Sequence, residues 1–179
     1  TYKEPTPRER AEHVRRLQYE EGQGLFAVAY STIHKAACDG NVDGLKWFLT
    51  GKGRKKGGGD KIGPDDYDSA GNSPIHYASE RGHNKAIEYL LKRGSRVNMP
   101  TTNGMTPLMY AAKNNKISTV KLLYENGAEL IATNKAGMSA IHFAVQTDQL
   151  DALKYISDVY DKMVLDAAEL VEQFKEEYG

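Results

Sequence analysis

The chain is short of cysteine: Cys38 is the one cysteine in 179 residues. No intrachain disulfide can form, which fits a reducing compartment. Long apolar runs are missing too. Nothing approaches the ~20 residues that a membrane-spanning helix needs, and no signal-peptide pattern is visible. An intracellular, cytoplasmic setting is therefore expected. Charge of one sign is also lacking, with 24 Lys and Arg against 24 Asp and Glu. Nothing in that total argues for generic attraction to nucleic acid or to a membrane surface. The balance is uneven along the chain, basic in the first third and acidic near the end. Thr1 stands where a methionine would begin a chain, so part of a longer protein is expected.

What is present is a period. Gly71, Gly104 and Gly137 are 33 residues apart, and so are Ser73, Thr106 and Ser139. Within one unit, residues 68 to 98, a turn at Asp68-Ser69-Ala70-Gly71 leads into Ser73-Pro74. Proline suits a first helical turn, where its missing N–H would have no partner. A short helix with Ile75, Tyr77 and Ala78 follows and breaks at Gly82-His83. A second helix carries Ile87, Leu90 and Leu91 and stops at Gly94, as helices commonly do at glycine. Self-similarity at this period means a stacked array in which each unit buries its apolar face against its neighbours.

Ser73-Pro74-Ile75-His76 and Thr106-Pro107-Leu108-Met109, in register and followed by paired short helices, resemble the ankyrin repeat. Ser139-Ala140-Ile141-His142 and the upstream Ser31-Thr32-Ile33-His34 are copies without the proline. The resemblance covers roughly residues 30 to 157. It implies an all-α solenoid of helix-turn-helix repeats with β-hairpin fingers. The expected organisation is an N-terminal helical extension over 1–24, four repeats over 25–157, and a C-terminal helix over 158–179. The repeats fall at about 29–67, 68–100, 101–133 and 134–157. The interval from Leu49 to Asp68 is nine residues longer than that from Leu91 to Thr101. A Gly- and Lys-rich insertion over 51–63 accounts for it.

At the N-terminus, Thr6-Pro7-Arg8-Glu9 reads as a capping box. The helix after it has thin apolar content and alternating charges, so it reads as solvated and loosely laid on repeat 1. Trp47 reads as packing at the open end of the stack.

Candidate chemistry is sparse. The glycines and lysines of 51–61 lack the Gly-Lys-Ser/Thr that a phosphate loop needs between a strand and a helix. Asp66-Tyr67-Asp68-Ser69-Ala70-Gly71 mimics the start of a calcium loop, but position 12 is Tyr77 rather than a bidentate Glu. His34, His76 and His142 recur once per repeat, so stacking spreads them along the array and away from any common centre. The resemblance implies that they bond backbone in the neighbouring turn. No Ser-His-Asp or Cys-His pairing stands out. No enzyme activity, cofactor, metal or specific nucleic-acid partner is expected.

The resemblance implies instead a concave groove of finger tips and first helices. Its variable positions map to Asn72, Asn103, Met105, Lys135 and Met138 in the turns. At the ends of the first helices they map to Glu80, Arg81, Lys113, Asn114, Gln146 and Thr147. Met105 and Met138 are expected to stand exposed as adaptable apolar contacts. With Arg81, Lys113 and Lys135 beside them, the groove would suit a peptide with apolar anchors and acidic residues. Tyr77, Tyr110 and Phe143 read as core or half-core. Two other functions compete with a groove-binding adaptor. One is a regulatory or anchoring domain of a larger enzyme, channel, or cytoskeletal or ciliary assembly. The other is an anionic-surface binder through Arg54, Lys55 and Lys56 of the finger loop.

From Leu153 on, Ile156, Tyr160, Met163, Ala167, Leu170 and Phe174 follow at alternating spacings of three and four, the seam of a helix packed on a helix. Neither Gly nor Pro interrupts the run from Met138 to Tyr178. The favoured arrangement is a turn near Ser157-Asp158 and a separate helix folded back as a cap on repeat 4. The alternative is one continuous rod that meets a second copy or a partner chain.

Overall fold

The computed structural model describes residues 32–50 and 62–178, with side chains as far as Asp166. The expected N-terminal helix, and the insertion with Arg54, Lys55 and Lys56, lie outside the described residues. Among those described there are eight helices: α1 (Ile33–Cys38), α2 (Val42–Leu49), α3 (Pro74–Arg81), α4 (Asn84–Lys92), α5 (Pro107–Lys113), α6 (Ile117–Glu125), α7 (Ala140–Gln146) and α8 (Leu150–Tyr178). They pair as α1/α2, α3/α4, α5/α6 and α7/α8. The first helices stack as α1 on α3, α3 on α5 and α5 on α7, with the second helices in a layer behind. The result is an all-α repeat solenoid.

Seven of these helices are too short to be stable alone. Local chemistry sets their ends. Thr32 and Thr106 accept the amides of Lys35 and Met109 as N-caps, and Asn41 accepts that of Gly44. Each first helix closes in one way. The amides of Asn41, His83, Lys116 and Gln149 donate to Ala36, Ala78, Ala111 and Ala144, at 2.9, 2.9, 2.9 and 2.8 Å. This is the six-to-one bond of a Schellman end, which needs a left-handed residue before the donor. Gly40 and Gly82 fill that place in repeats 1 and 2, and Asn115 (φ 52°) and Asp148 (φ 54°) fill it in repeats 3 and 4.

Packing then supplies the stability. Ile75, Ile87, Leu90, Leu108, Val120, Leu123 and Ile156 are fully buried and recur in register. Thr119 holds the position of Ala86 and Ala152, and its buried hydroxyl donates to Asn84 Oδ1 at 2.6 Å. Trp47 is buried edge-on to Phe48, with ring centroids 5.0 Å apart.

Two expectations are corrected. Among the described residues the fingers form no β-hairpin, since none of these residues lies in a strand. Adjacent fingers share single backbone bonds, Thr102 N–H to Ala70 O and Lys135 N–H to Asn103 O. One bond per junction makes no ladder.

The C-terminal cap is also overturned. α8 is one continuous helix of 29 residues, roughly 44 Å long at ~1.5 Å per residue. There is no turn at Ser157-Asp158, so the boundary expected at 157/158 falls inside a helix. The reason is one position. α4 ends at Gly94 (φ 92°), with Ser95 N–H on Leu90 O; α6 ends at Gly127 (φ 88°), with Ala128 N–H on Leu123 O. The same place in repeat 4 is Tyr160, and the helix runs on.

Candidate functional site

The finger turns and first helices build one face of the stack. Its geometry starts at the turns. Asp68 Oδ1 accepts the amides of Ala70 and Asn72, both at 2.9 Å. Asn134 does the same for Ala136 and Met138. Gly71 sits at φ 79°, and a Cβ there would lie 2.6 Å from the Thr102 amide nitrogen. Only glycine fits that approach.

Histidines tie the first helices of repeats 1 and 2 to a turn. His76 is the best defined. The Ser73 amide donates to Nδ1 at 3.0 Å, so the ring proton sits on Nε2, which donates to Met99 O at 2.8 Å and Met105 O at 3.2 Å. Burial holds its pKa below the usual histidine value, although these backbone bonds oppose the shift. His34 Nε2 bonds Asp66 O at 2.9 Å. His142 keeps only the bonds to Ser139 and is exposed. In repeat 3 the position is Met109, fully buried, whose sulfur lies 3.4 Å from the Thr106 amide.

Tyr77 and Tyr110 are half-buried, and Phe143 is buried. They belong to the framework, and the two phenols also make polar contacts. Tyr77 donates to Asp68 Oδ2 at 2.6 Å, and Tyr110 donates to Asn72 Oδ1 at 2.9 Å. Asn72 Nδ2 completes the chain to Asp68 Oδ2 at 3.4 Å. The hydrogen bond to Asp68, then burial and the Asp68 charge, push the Tyr77 hydroxyl up to about 12. For Asp68, burial raises the pKa, but the bonds from Tyr77, Asn72 and Ala70 outweigh it and leave it lowered. Burial, followed by the charges of Glu80 and Asp68, raises Tyr110. The 33-residue period exposes neither the Tyr77–Asp68 nor the Tyr110–Asn72 pairing.

The residues expected to face a partner divide by environment. Arg81, Asn103, Lys113, Lys135 and Gln146 are exposed. Asn72 and Thr147 are half-buried and Asn114 is exposed, and all three side chains bond within the fold. Asn114 Nδ2 donates to Tyr110 O at 2.9 Å, and Thr147 Oγ1 donates to Phe143 O at 2.7 Å and Lys113 O at 3.1 Å. Glu80 is half-buried. Met105 and Met138 are not the exposed anchors expected: both are half-buried and packed against the core. An unbranched side chain at the turn-to-helix junction folds down onto the neighbouring apolar surface.

Among the described residues, no group of three or more His, Cys, Asp or Glu side chains is placed to hold a metal ion. No described helix is long and apolar enough to cross a membrane. A family model described as "Ankyrin repeats (3 copies)" matches residues 12–101, 33–134 and 96–166. No curated protein matches the chain.

Proposed function

Because the chain belongs to the ankyrin-repeat family, whose repeats are generally protein–protein interaction modules and typically non-enzymatic, we propose that it binds a protein partner on the face of finger turns and first helices, without catalysis. One observation carries the reading. Arg81, Lys113, Lys135 and Gln146 are exposed at recurring positions, on backbone held by Schellman ends and, in repeat 2, by the bond from His76 to the turn. Side chains displayed on a rigid register lose little freedom beyond their own rotamers on binding. Bound protein would contact Asn103 and Asn114 as well, with Asn72 and Thr147 shaping the surface from below.

The test is quantitative capture of partner protein by the full chain. Lys113→Glu with Lys135→Glu should reduce capture about tenfold or more, as reversed charge at an interface does. Lys85→Glu with Lys121→Glu, on the second-helix layer, should leave capture unchanged. Far-UV circular dichroism should be the same for all. Equal capture by every variant would place the site elsewhere.

A second reading is favoured by α8. Five of the large apolar side chains exposed among the described residues fall in it: Leu150 (67%) at its start, then Tyr160 (43%), Met163 (43%), Val164 (52%) and Leu165 (64%). The seam spacing makes this stretch an interface for a second helix, alongside the partner face. Truncation after Asp158 keeps Ala152 and Ile156, which pack on the stack. The shortened chain should melt as before while losing any self-association seen by sedimentation. A truncated chain that melts well below the full one would restore a capping role.

A further inference from the structure

Between repeats 2 and 3 lies a cavity of about 180 Å³ lined by Asn72, His76, Tyr77, Glu80 and Tyr110. Its hydrogen-bonding capacity is one-sided. The Tyr77 hydroxyl is spent on Asp68, the Tyr110 hydroxyl on Asn72, and the His76 ring N–H on backbone carbonyls. The one donor left among these side chains is an amide hydrogen of Asn72. What remains are acceptors: phenolic oxygens, the Glu80 carboxylate and, behind them, Asp68. Glu80 forms no ion pair among the described residues. The two aromatic rings are fixed by their hydroxyl bonds and by edge contacts, Tyr77 with His34 at 5.8 Å and Tyr110 with His76 at 5.7 Å.

We propose that this cavity receives a basic side chain, arginine above all, from the protein partner; the proposal rests on this face being the partner site. A guanidinium carries only donors, stacks on aromatic rings, and is weakly hydrated for a cation. Each property matches what the cavity offers. The negative potential is already felt there, since the charges of Glu80 and Asp68 both help to raise Tyr110.

The next register along the stack sharpens the assignment. One repeat on, Asp68 becomes Thr101, Asn72 becomes Met105, Glu80 becomes Lys113 and Tyr110 becomes Phe143. Both carboxylates and one hydroxyl are gone, and a cation has been added. The same junction between repeats 3 and 4 would repel arginine. A partner lying along the face is therefore read in one register, with its basic residue at repeats 2 and 3.

The experiment follows the tyrosine ring resonances of the full chain by NMR during titration with capped Gly-Gly-Arg-Gly-Gly. Versions with norleucine or aspartate in place of arginine serve as controls. Tyr77 and Tyr110 should shift saturably with the arginine peptide only. Glu80→Gln should weaken that binding about threefold or more, as expected for loss of a partly exposed charge partner. Tyr110→Leu should weaken it roughly two- to thirtyfold, the range for a cation on an aromatic face. The idea is overturned by three results: no saturable shift up to about 10 mM, a millimolar contact being the weakest worth assigning; an equal response to norleucine; or no effect of Glu80→Gln. The two readings separate cleanly. If Lys113→Glu with Lys135→Glu abolishes partner capture but arginine does not titrate, the cavity assignment alone fails. If arginine titrates but capture ignores the charge variants, the partner-face reading fails and the cation pocket stands as a local site.

Discussion

Repeats 2 and 3 and the repeat 4 end of the molecule share one framework and use it differently. In the interior repeats, both helices are stopped by left-handed residues, and each first helix is bonded or packed into the turn beside it. At the far end, the first-helix stop survives at Asp148, but the second-helix stop does not, because Tyr160 replaces Gly94 and Gly127. His76 reaches Met99 and Met105, while His142 bonds only its own Ser139. The difference teaches that the repeat is two devices, a local terminator and a neighbour-dependent clamp. The terminator works wherever a residue can adopt positive φ. The clamp works only where another turn follows.

The largest break in that comparison comes from the core. Leu90→Ala removes a fully buried side chain between repeats, and should cost about 2–5 kcal/mol in urea denaturation. Met163→Ala, on the outrunning part of α8, should cost less than about 0.5 kcal/mol, as surface changes do. Comparable losses at both sites would mean that α8 is covered along its length.

The glycine positions should come next. Gly127→Ala meets no atom within 4 Å, so only the left-handed backbone is penalised, at about 1–2 kcal/mol. Gly71→Ala adds the collision with the Thr102 amide and should lose more stability. Equal losses would show that the finger turn can move away. In the reverse direction, Tyr160→Gly restores the terminator residue to repeat 4. Ellipticity at 222 nm should fall as α8 shortens or frays, since glycine costs a helix about 1 kcal/mol. Unchanged ellipticity would mean that absence of a glycine is not what carries the helix onward.

The smallest effect is on pH. Burial holds the folded pKa of His76 below the usual histidine value of about 6.5, so the unfolded chain takes up the proton first. Its stabilising contribution is complete above about pH 6.5 and declines as pH falls toward the folded pKa. His76→Met, the residue that repeat 3 uses at Met109, should flatten this part of the stability curve measured by thermal melts. A slope that persists in His76→Met would have to come from another group.

The repeat itself was legible in the chain. Gly71, Gly104 and Gly137 mark turns, and Ser73, Thr106 and Ser139 mark helix starts. Their effects are local, set by φ, by a missing N–H or by a side-chain oxygen within a few residues. The role of His76 came from the family resemblance, which implied bonds to backbone in the neighbouring turn; its Nδ1 bond to Ser73 is the structure's addition. Other features needed distance. Met105 and Met138 sit at positions that sequence alone makes accessible, yet the adjacent apolar surface draws them down. Tyr77 and Tyr110 look alike in register, but the cavity between them exists because Asn72 and Asp68 belong to a turn that stacking brings beside both rings. The direction of α8 also lay beyond the pattern. The alternating three-four spacing allows a folded cap or a rod, because both bury the same stripe. Sequence determined where the chain turns and which faces are apolar, since those depend on each residue and its near neighbours. Tertiary structure decided which of those faces found a partner within the molecule, because burial depends on what lies across the gap.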